Sequence, residues 1–187
     1  MKFLQQTWYI FACEAVYINR SLFVKSMSEK SLNIVEASIE QLVEIAELVR
    51  QSITILCEPD HGGQPHNIEN WLTDRTEDKL REIMASPDAV TDVAMLDGEV
   101  AGVSHITHQG MLVLCYIHPD HIGQGLGRQL LRTAEGRARS NGVEEIRLIS
   151  TTTALEFYRT HGYRQYADHI LQFGMPGYPM SKKICSE

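Results

Sequence analysis

One stretch near the middle of the 187-residue chain constrains the fold more than any other. Met111–Ile117 is an unbroken run of apolar, β-favouring residues, which predicts a strand buried on both faces. Pro119 ends that strand because it has no backbone N–H to donate. A helical pattern of apolar residues begins at Leu126, so the order is strand, glycine loop, helix. Glycines occupy alternate positions of the loop: Gly123, Gly125 and Gly127.

A loop of this kind at the start of a helix indicates an anion site. The first turn of a helix leaves backbone N–H groups without partners and carries partial positive charge. Glycines allow a ligand to approach the bare backbone, and the combination suits a diphosphate. The alternative is a tight turn that needs glycine for its geometry alone. No Lys follows as in a P-loop, and Gly-x-Gly-x-x-Gly fails at Arg128 and Leu130, which argues against a nucleoside triphosphate and NAD.

A second stretch of the sequence adds to the evidence from the glycine loop. Thr151–Tyr163 follows a predicted strand at Glu145–Ser150 and has the sequence Thr-Thr-Thr-Ala-Leu-Glu-Phe-Tyr-Arg-Thr-His-Gly-Tyr. Together with Tyr-Ile-His-Pro and Gly-Gln-Gly-Leu-Gly-Arg, about thirty residues earlier, it resembles the GCN5-related N-acetyltransferase (GNAT) superfamily. The resemblance covers the chain from about Leu32 to Ile184. It implies acetyl-CoA as co-substrate and a primary amine, on a small molecule or a peptide, as acceptor.

The resemblance also implies an α/β fold. We expect a GNAT-like mixed, mostly antiparallel sheet of about seven strands, flanked by helices on both faces. The two central parallel strands, Met111–Ile117 and Glu144–Ser150, should splay apart and leave a V-shaped split between them. In the family, the free backbone groups of the splayed strand bind the pantetheine arm and the thioester of the coenzyme.

Site residues follow from the same resemblance. Tyr158 matches the tyrosine that many relatives place beside the coenzyme sulfur as a general acid, and a phenol with a pKa of about 10 is a competent donor to a thiolate. The helix face that carries Tyr158 also suits a core residue, so both roles stay open. The residues predicted to bind the coenzyme lie on the splayed strand and the glycine loop: Cys115, Tyr116, Ile117, Ile122, Gly123, Gln124, Gly125, Leu126, Gly127 and Arg128.

Departures from the family pattern leave the general base unassigned. Ile122 stands where the family usually has Gln or Arg, and Thr151 stands where it often has Asn. A Glu that is common early in the central strand is missing, and Met111 or a neighbour takes its place. A water chain is the alternative to all of the candidates that the chain offers elsewhere: Glu58, His61, His66, His105, His118 and His121.

The composition of the chain limits the kinds of partner that the protein is expected to bind. A net charge of −7 argues against nucleic acid and anionic membranes as partners, and the length and 43% hydrophobic content suit one globular domain. The four cysteines form no C-x-x-C pair, and the eight histidines form no H-E-x-x-H motif, so we expect no metal site. Scattered single cysteines fit a reducing cytoplasm.

Two segments are expected along the chain: an N-terminal extension of uncertain role at residues 1–31, and the N-acetyltransferase domain at residues 32–187. The extension has no long apolar run or clear cleavage site, so we expect neither a signal peptide nor a membrane span. Either Met27 is the natural start, or an arm with apolar side chains packs on the domain or on a second subunit in a homodimer.

Local signals place the remaining elements. Ser38 and Gln41 form a capping box before an amphipathic helix that runs to about Ser52, and Asp97-Gly98 predicts a tight hairpin. Ile53–Thr76 reads as an irregular segment with a short helix near Trp71. Tyr163–Phe173 and Pro179–Ile184 are predicted as a closing antiparallel pair, with Gly174–Tyr178 as the loop between them.

Two alternatives to an N-acetyltransferase stay open at this stage. The missing acidic residue on the central strand also suits a regulatory module that binds acyl-CoA without turning it over. A transferase that uses another acyl group or another acceptor would carry the same coenzyme motifs.

Overall fold

A computed structural model of the protein describes residues 31–184. The predicted extension, apart from Ser31, therefore lies outside the described residues, and so do Met27 and Cys185. Within the described range, no helix is both long enough and apolar enough to cross a membrane.

Strands and helices follow one another in a mixed order. The strands are β1 (Leu32–Glu36), β2 (Ala89–Leu96), β3 (Glu99–Thr107), β4 (Met111–Ile117), β5 (Glu145–Ser150), β6 (Arg164–Gln165), β7 (Ile170–Gln172) and β8 (Met175–Lys183). The α-helices are α1 (Leu42–Gln51), α2 (Glu58–His61), α3 (Pro65–Thr73), α4 (Glu77–Met84), α5 (Leu126–Ser140) and α6 (Leu155–Thr160). Short 3-10 turns precede α1 and α5, at Ile39–Gln41 and Pro119–His121, and a π-helical turn at Ser52–Leu56 follows α1.

The strands form one sheet in the order β1-β2-β3-β4-β5-β8-β6, with β7 paired to a further part of β8. Every pairing is antiparallel except that of β4 with β5. The predicted mixed, mostly antiparallel sheet is thereby confirmed. Within residues 31–184 it has eight strands rather than about seven, because the segment that follows Tyr163 contributes two short strands instead of one.

The predicted V-shaped split is present between β4 and β5. The two strands pair only at Met111 with Arg147 and at Leu112 with Leu148, although β4 continues to Ile117. The expectation that β4 is buried on both faces was wrong: Val113 is 38% exposed because it lines the opening that the divergence creates.

Helices cover both faces of the sheet. On one face, Leu131 of α5 packs with Ile106 and Ile146, whereas on the other Ile45 of α1 packs with Val93. Each fully buried side chain of this size contributes about 1.5–3 kcal/mol through the hydrophobic effect, which holds both layers on the sheet.

One ion pair fixes α5 on the sheet. Arg137 of α5 places Nη2 2.7 Å from Oδ1 of Asp92 on β2, whose carboxylate is buried. The same guanidinium reaches Glu36 at 3.4 Å. A buried carboxylate needs such a partner, because an unpaired charge in the interior is costly. The helix that begins at the glycine loop is therefore held in one position.

Two local predictions are confirmed by the backbone. Asp97 and Gly98 have φ of 53° and 91°, the positive values that a two-residue hairpin turn of this type requires. Ser38 donates its backbone N–H to Oε1 of Gln41 at 2.9 Å, which is one half of the predicted capping box.

The C-terminal pair differs from the prediction. Gly174–Tyr178 is not a loop, because β8 begins at Met175 and the turn consists of Phe173 and Gly174 alone, with φ of 55° and 82°. The preceding segment is not one strand either. Between the Gln165–Met180 and Ile170–Gly177 pairs, it has more residues than β8 has opposite it, so the ladder is interrupted.

The segment predicted as irregular is mostly helical. Ile53–Thr76 contains the π-helical turn, α2 and α3, and only a few residues lie in turns between them. Proline is typical of loops, but Pro59 and Pro65 each stand in the first turn of a helix, where the missing N–H leaves no hydrogen bond unmade.

Candidate active site

A cleft of about 860 Å³ lies where β4 and β5 diverge. Its walls come from the two strands, from the loop that leads into α5, and from α6. Leu56 and Cys57, on the segment that follows α1, close it on a further side. The opening is large enough to bury much of a ligand of coenzyme size.

The glycine loop at one side of the cleft has the geometry of an anion cradle. Gly123 and Gly125 have φ of 78° and 80°, and a Cβ added to either would meet no atom within 4 Å. Gly125 immediately precedes α5, so the unpaired N–H groups of the first turn face this loop. Gly127 serves packing instead, since a Cβ there would lie 3.4 Å from the ring of Phe157. These residues fit a bound diphosphate.

Most of the residues predicted to bind the coenzyme meet at this cleft. Ile122 is 56% exposed at its rim, and Arg128 is exposed beside it. Gln124 does not line the cleft: its Nε2 donates to the carbonyl of Asp120 at 3.3 Å. The predicted residues that do line it are Cys115, Tyr116, Ile117, Ile122, Gly123, Gly125, Leu126, Gly127 and Arg128.

Tyr158 lies on α6, and its side chain, only 7% exposed, lines the cleft. Its ring packs edge-on against Phe157 and Tyr163, with centroid distances of 5.2 and 5.6 Å. Cys115 of β4 lines the same cleft and interacts electrostatically with Tyr158. Burial raises the pKa of Tyr158 well above its ordinary value, so the hydroxyl keeps its proton at neutral pH.

Two cysteines line the same cleft, and both are free thiols. Burial raises the pKa of Cys115 to about 11 and that of Cys57 to about 12. The thiolate is the nucleophilic form of cysteine, and at pH 7 neither residue is ionised to a useful extent. The cleft therefore contains no activated cysteine that could take an acyl group.

Of the candidate bases, His121 lines the cleft, whereas Glu58, His61, His66, His105 and His118 do not. Both ring nitrogens of His61 are engaged by backbone: Nε2 donates to the Ile53 carbonyl at 3.2 Å, and Gly63 donates to Nδ1 at 3.0 Å. His105 is buried on β3 with Nδ1 2.8 Å from Thr91 Oγ1, and burial lowers its pKa to about 4. Glu58 and His66 are exposed.

Asp60 has a structural role that no local sequence pattern indicates. Its carboxylate accepts hydrogen bonds from the backbone N–H groups of Thr152 and Thr153 and from the hydroxyl of Thr153. Thr151 Oγ1 in turn accepts from the N–H of Ala154 at 3.2 Å. These bonds hold the entry to α6 and so position Tyr158. Since 92 residues separate Asp60 from Thr152, only the folded chain brings them together.

Within residues 31–184, no group of three or more His, Cys, Asp or Glu side chains is placed to hold a metal ion.

Comparison with known proteins gives the family. Residues 57–184 match the family model described as Acetyltransferase (GNAT) domain, which spans more than half of the chain. The chain therefore belongs to the GNAT acetyltransferase family, as its sequence predicted. No curated protein matches it.

Solved structures share the fold. A GCN5-related N-acetyltransferase from Rhodopseudomonas palustris is 21% identical, covers 82% of this chain and 96% of its own, and has a TM-score of 0.73. PaiA N-acetyltransferase from Thermoplasma acidophilum, in complex with coenzyme A, is 23% identical over 82% of this chain and 99% of its own, with a TM-score of 0.70. YncA from Salmonella typhimurium, with its cofactor acetyl-CoA, is 18% identical over 84% and 96%, with a TM-score of 0.58. The ligands of the last two agree with the co-substrate predicted here.

Proposed function

We propose that the protein is an acetyl-CoA-dependent N-acetyltransferase, which transfers the acetyl group to a primary amine of a small molecule or peptide by direct attack on the thioester. The observation that carries this proposal is the position of Tyr158. Its protonated hydroxyl lies at the wall of the cleft, against Cys115, where β4 has already left β5.

The co-substrate is held by backbone in this proposal. Its diphosphate lies on the N–H groups of residues 122–128, at the start of α5. The part of β4 beyond Leu112 has no ladder partner on β5. The backbone groups of this part that point towards β5, away from the ladder with β3, are therefore available to the pantetheine arm and to the thioester. Hydrogen-bond donors aimed at the thioester oxygen would stabilise the charge that develops there during attack.

The chemical step needs few groups. The lone pair of the neutral amine forms a bond to the thioester carbon, the C–S bond breaks, and the Tyr158 hydroxyl gives its proton to the departing thiolate. The new amide nitrogen releases its extra proton to water, from which Tyr158 recovers its own. General acid catalysis of this kind typically accelerates a reaction by about 10²–10⁴-fold.

Direct transfer is supported by the cysteines. A mechanism through an acetyl-cysteine would need a thiolate, and the raised pKa values of Cys57 and Cys115 keep both protonated. Of the candidate bases, only His121 lines the cleft, so either His121 or a water chain takes the proton from the amine. We place the protein in the cytoplasm, since its two described cysteines are free thiols, and assign the activity to residues 32–187.

Thiol release from acetyl-CoA, measured against a panel of primary amines, tests the proposal. We expect release that depends on the amine and yields the N-acetylated product in equal amount. Coenzyme binding without amine-dependent release would instead show a regulatory module. Faster turnover with a longer acyl-CoA would show a transferase of another acyl group.

A further inference from the structure

A second, smaller cavity of about 60 Å³ adjoins the cleft. Trp71 of α3 and Phe173 form an aromatic wall, with parallel rings 6.0 Å apart, and Tyr116 of β4 also lines it. Val113, Tyr116, Ile149 and Thr151 line both spaces. A molecule that enters the small cavity is therefore next to the cleft in which the transfer takes place.

Two buried N–H groups at this cavity have no hydrogen-bond partner among the described residues. They are the indole Nε1 of Trp71, whose side chain is 3% exposed, and Nε of Arg75. Native proteins rarely leave buried donors unsatisfied, because removal from water is then uncompensated. Trp71 and Arg75 both line the cavity, so an acceptor held there would lie beside these donors.

The charge of Arg75 is also without a counterion. Its guanidinium lies 5.5 Å from the centre of the Phe173 ring, and Nη1 donates to the carbonyl of Asp74 at 2.8 Å. Within residues 31–184, no carboxylate is at ion-pair distance from Arg75. Asp60 lines the cavity too, but its oxygens already accept from Thr152 and Thr153.

We propose that this cavity binds a carboxylate group of the acetyl acceptor, which makes the substrate an amino acid or another amine that carries a carboxylate. The inference rests on the proposed function. Arg75 Nε–H and Trp71 Nε1–H donate to the carboxylate oxygens, and the amine extends past Val113 and Ile149 into the cleft. The hydroxyl of Tyr116 lies close to both donors, and burial raises its pKa, so it stays protonated.

The size and lining of the cavity favour a carboxylate over a larger anion. A space of about 60 Å³ admits a group of few atoms, and the rings of Trp71 and Phe173 form an apolar wall on one side of it. Hydrogen bonds to a charged group strengthen in such surroundings. A site with buried donors also rejects an analogue that leaves them unpaired.

A series of acceptors with matched amides tests the proposal. The probes are the unbranched ω-amino acids from glycine to 6-aminohexanoate, together with the carboxamide of each, and kcat/KM is measured at saturating acetyl-CoA. We expect at least one chain length at which the carboxylate is preferred about tenfold or more over its amide. Equal turnover of every pair would overturn the carboxylate site while leaving the N-acetyltransferase in place.

Two variants test whether the preference for a carboxylate over its amide arises at this cavity. Arg75→Gln removes the charge, and Trp71→Phe removes the indole N–H but keeps an aromatic wall. Each should raise KM for the preferred carboxylate about tenfold, while KM for acetyl-CoA and turnover of the amide stay unchanged. Arg81→Gln, at an exposed arginine of α4, is the matched control and should change nothing. Preservation of the preference in both variants would refute the assignment.

A binding measurement that needs no turnover distinguishes the proposed carboxylate site from the proposed enzymatic activity. The chain has two tryptophans, Trp8 and Trp71, so a Trp8→Phe background leaves Trp71 as its sole indole. In the presence of coenzyme A, the same carboxylates should change the fluorescence of Trp71, and Arg75→Gln should abolish the change. If no amine is acetylated but this binding persists, the carboxylate site stands and the enzymatic proposal fails. Absence of both binding and preference refutes the site.

Discussion

Tyr158 is the residue on which the proposed chemistry depends. Replacement by Phe keeps the ring, its edge-on contacts and its packing, and it removes only the hydroxyl that faces Cys115. We expect kcat to fall at least about tenfold, with little change in KM for acetyl-CoA, because the proton donor acts on the leaving thiolate and not on binding. Steady-state kinetics at saturating amine measure both constants.

Tyr163 supplies the matched control for that experiment. It belongs to the same aromatic cluster and is 1% exposed, but its hydroxyl donates to Glu135 at 3.3 Å, and it does not line the cleft. Tyr163→Phe should lower the free energy of unfolding by about 0.5–1.5 kcal/mol and leave kcat intact. Full kcat in a well-folded Tyr158→Phe variant would assign Tyr158 to the core alone.

His105 makes stability depend on pH. Burial lowers its pKa to about 4, whereas the unfolded chain has the ordinary value of about 6.5. The neutral form suits the fold, so its stabilisation is complete above pH 6.5 and is lost as pH falls from 6.5 towards 4. Between pH 7 and pH 5 this residue should remove up to about 2 kcal/mol from the free energy of unfolding.

Urea unfolding at both pH values measures that effect. His105→Asn keeps a polar atom near Thr91 and has no titrating group, so the loss between pH 7 and pH 5 should shrink by most of this amount. An equal loss in the wild-type protein and the variant would show that other groups cause it.

At the scale of elements, the glycine loop and the first turn of α5 act together. Gly125→Val places a β-branched residue at a φ of 80° and puts its side chain in the space left for the diphosphate. We expect the affinity for coenzyme A, measured by calorimetry, to fall at least about tenfold.

Gly142, just past the other end of α5, is the control for backbone strain. It has a φ of 73° and equally open surroundings, but it lies outside the cleft. Gly142→Val should cost a similar amount of stability, on the order of 1–3 kcal/mol, and leave coenzyme affinity unchanged. An unaltered dissociation constant in Gly125→Val would refute the diphosphate site.

An element can be predicted from the sequence when the residues that determine it lie close together in the chain. The run from β4 through the glycine loop to α5 is specified by adjacent residues, and so is the hairpin at Asp97-Gly98. By contrast, β6 and β7 take their bounds from β8, whose register decides where pairing stops. Pro59 and Pro65 begin helices because each falls in a first turn, a position that composition alone does not distinguish from a loop.

The candidate site also has one part that local sequence determines and another that contacts between distant segments determine. The residues predicted to bind the coenzyme lie in one short stretch of sequence, and all of them except Gln124 line the cleft. The small cavity depends on contacts between distant segments, such as Trp71 with Phe173 and Asp60 with Thr153, and no local pattern signals them. The candidate bases were chosen by residue type, and folding directs His61 and His105 to structural hydrogen bonds instead.

At the scale of the whole molecule, coenzyme A should stabilise the fold by mass action. At a concentration of 100 times its dissociation constant, the gain is about 2.7 kcal/mol, which for a chain of this size corresponds to a rise in Tm of about 5–10 °C. Calorimetric scans over a range of coenzyme concentrations measure it. A Tm that does not respond to coenzyme A would contradict binding at the cleft.

The short contact between β4 and β5 has a mechanical consequence. In the order of the sheet, the strands from β1 to β4 and those from β5 to β8 are joined by two residue pairs, whereas longer ladders run inside each half. Tension applied through β1 and β8 therefore acts on this short contact. We expect β4 and β5 to separate before either half of the sheet unfolds. A coenzyme bound across this contact would hold the two halves of the sheet together. The force needed to unfold the domain would therefore rise when coenzyme binds and fall when it leaves in each catalytic cycle.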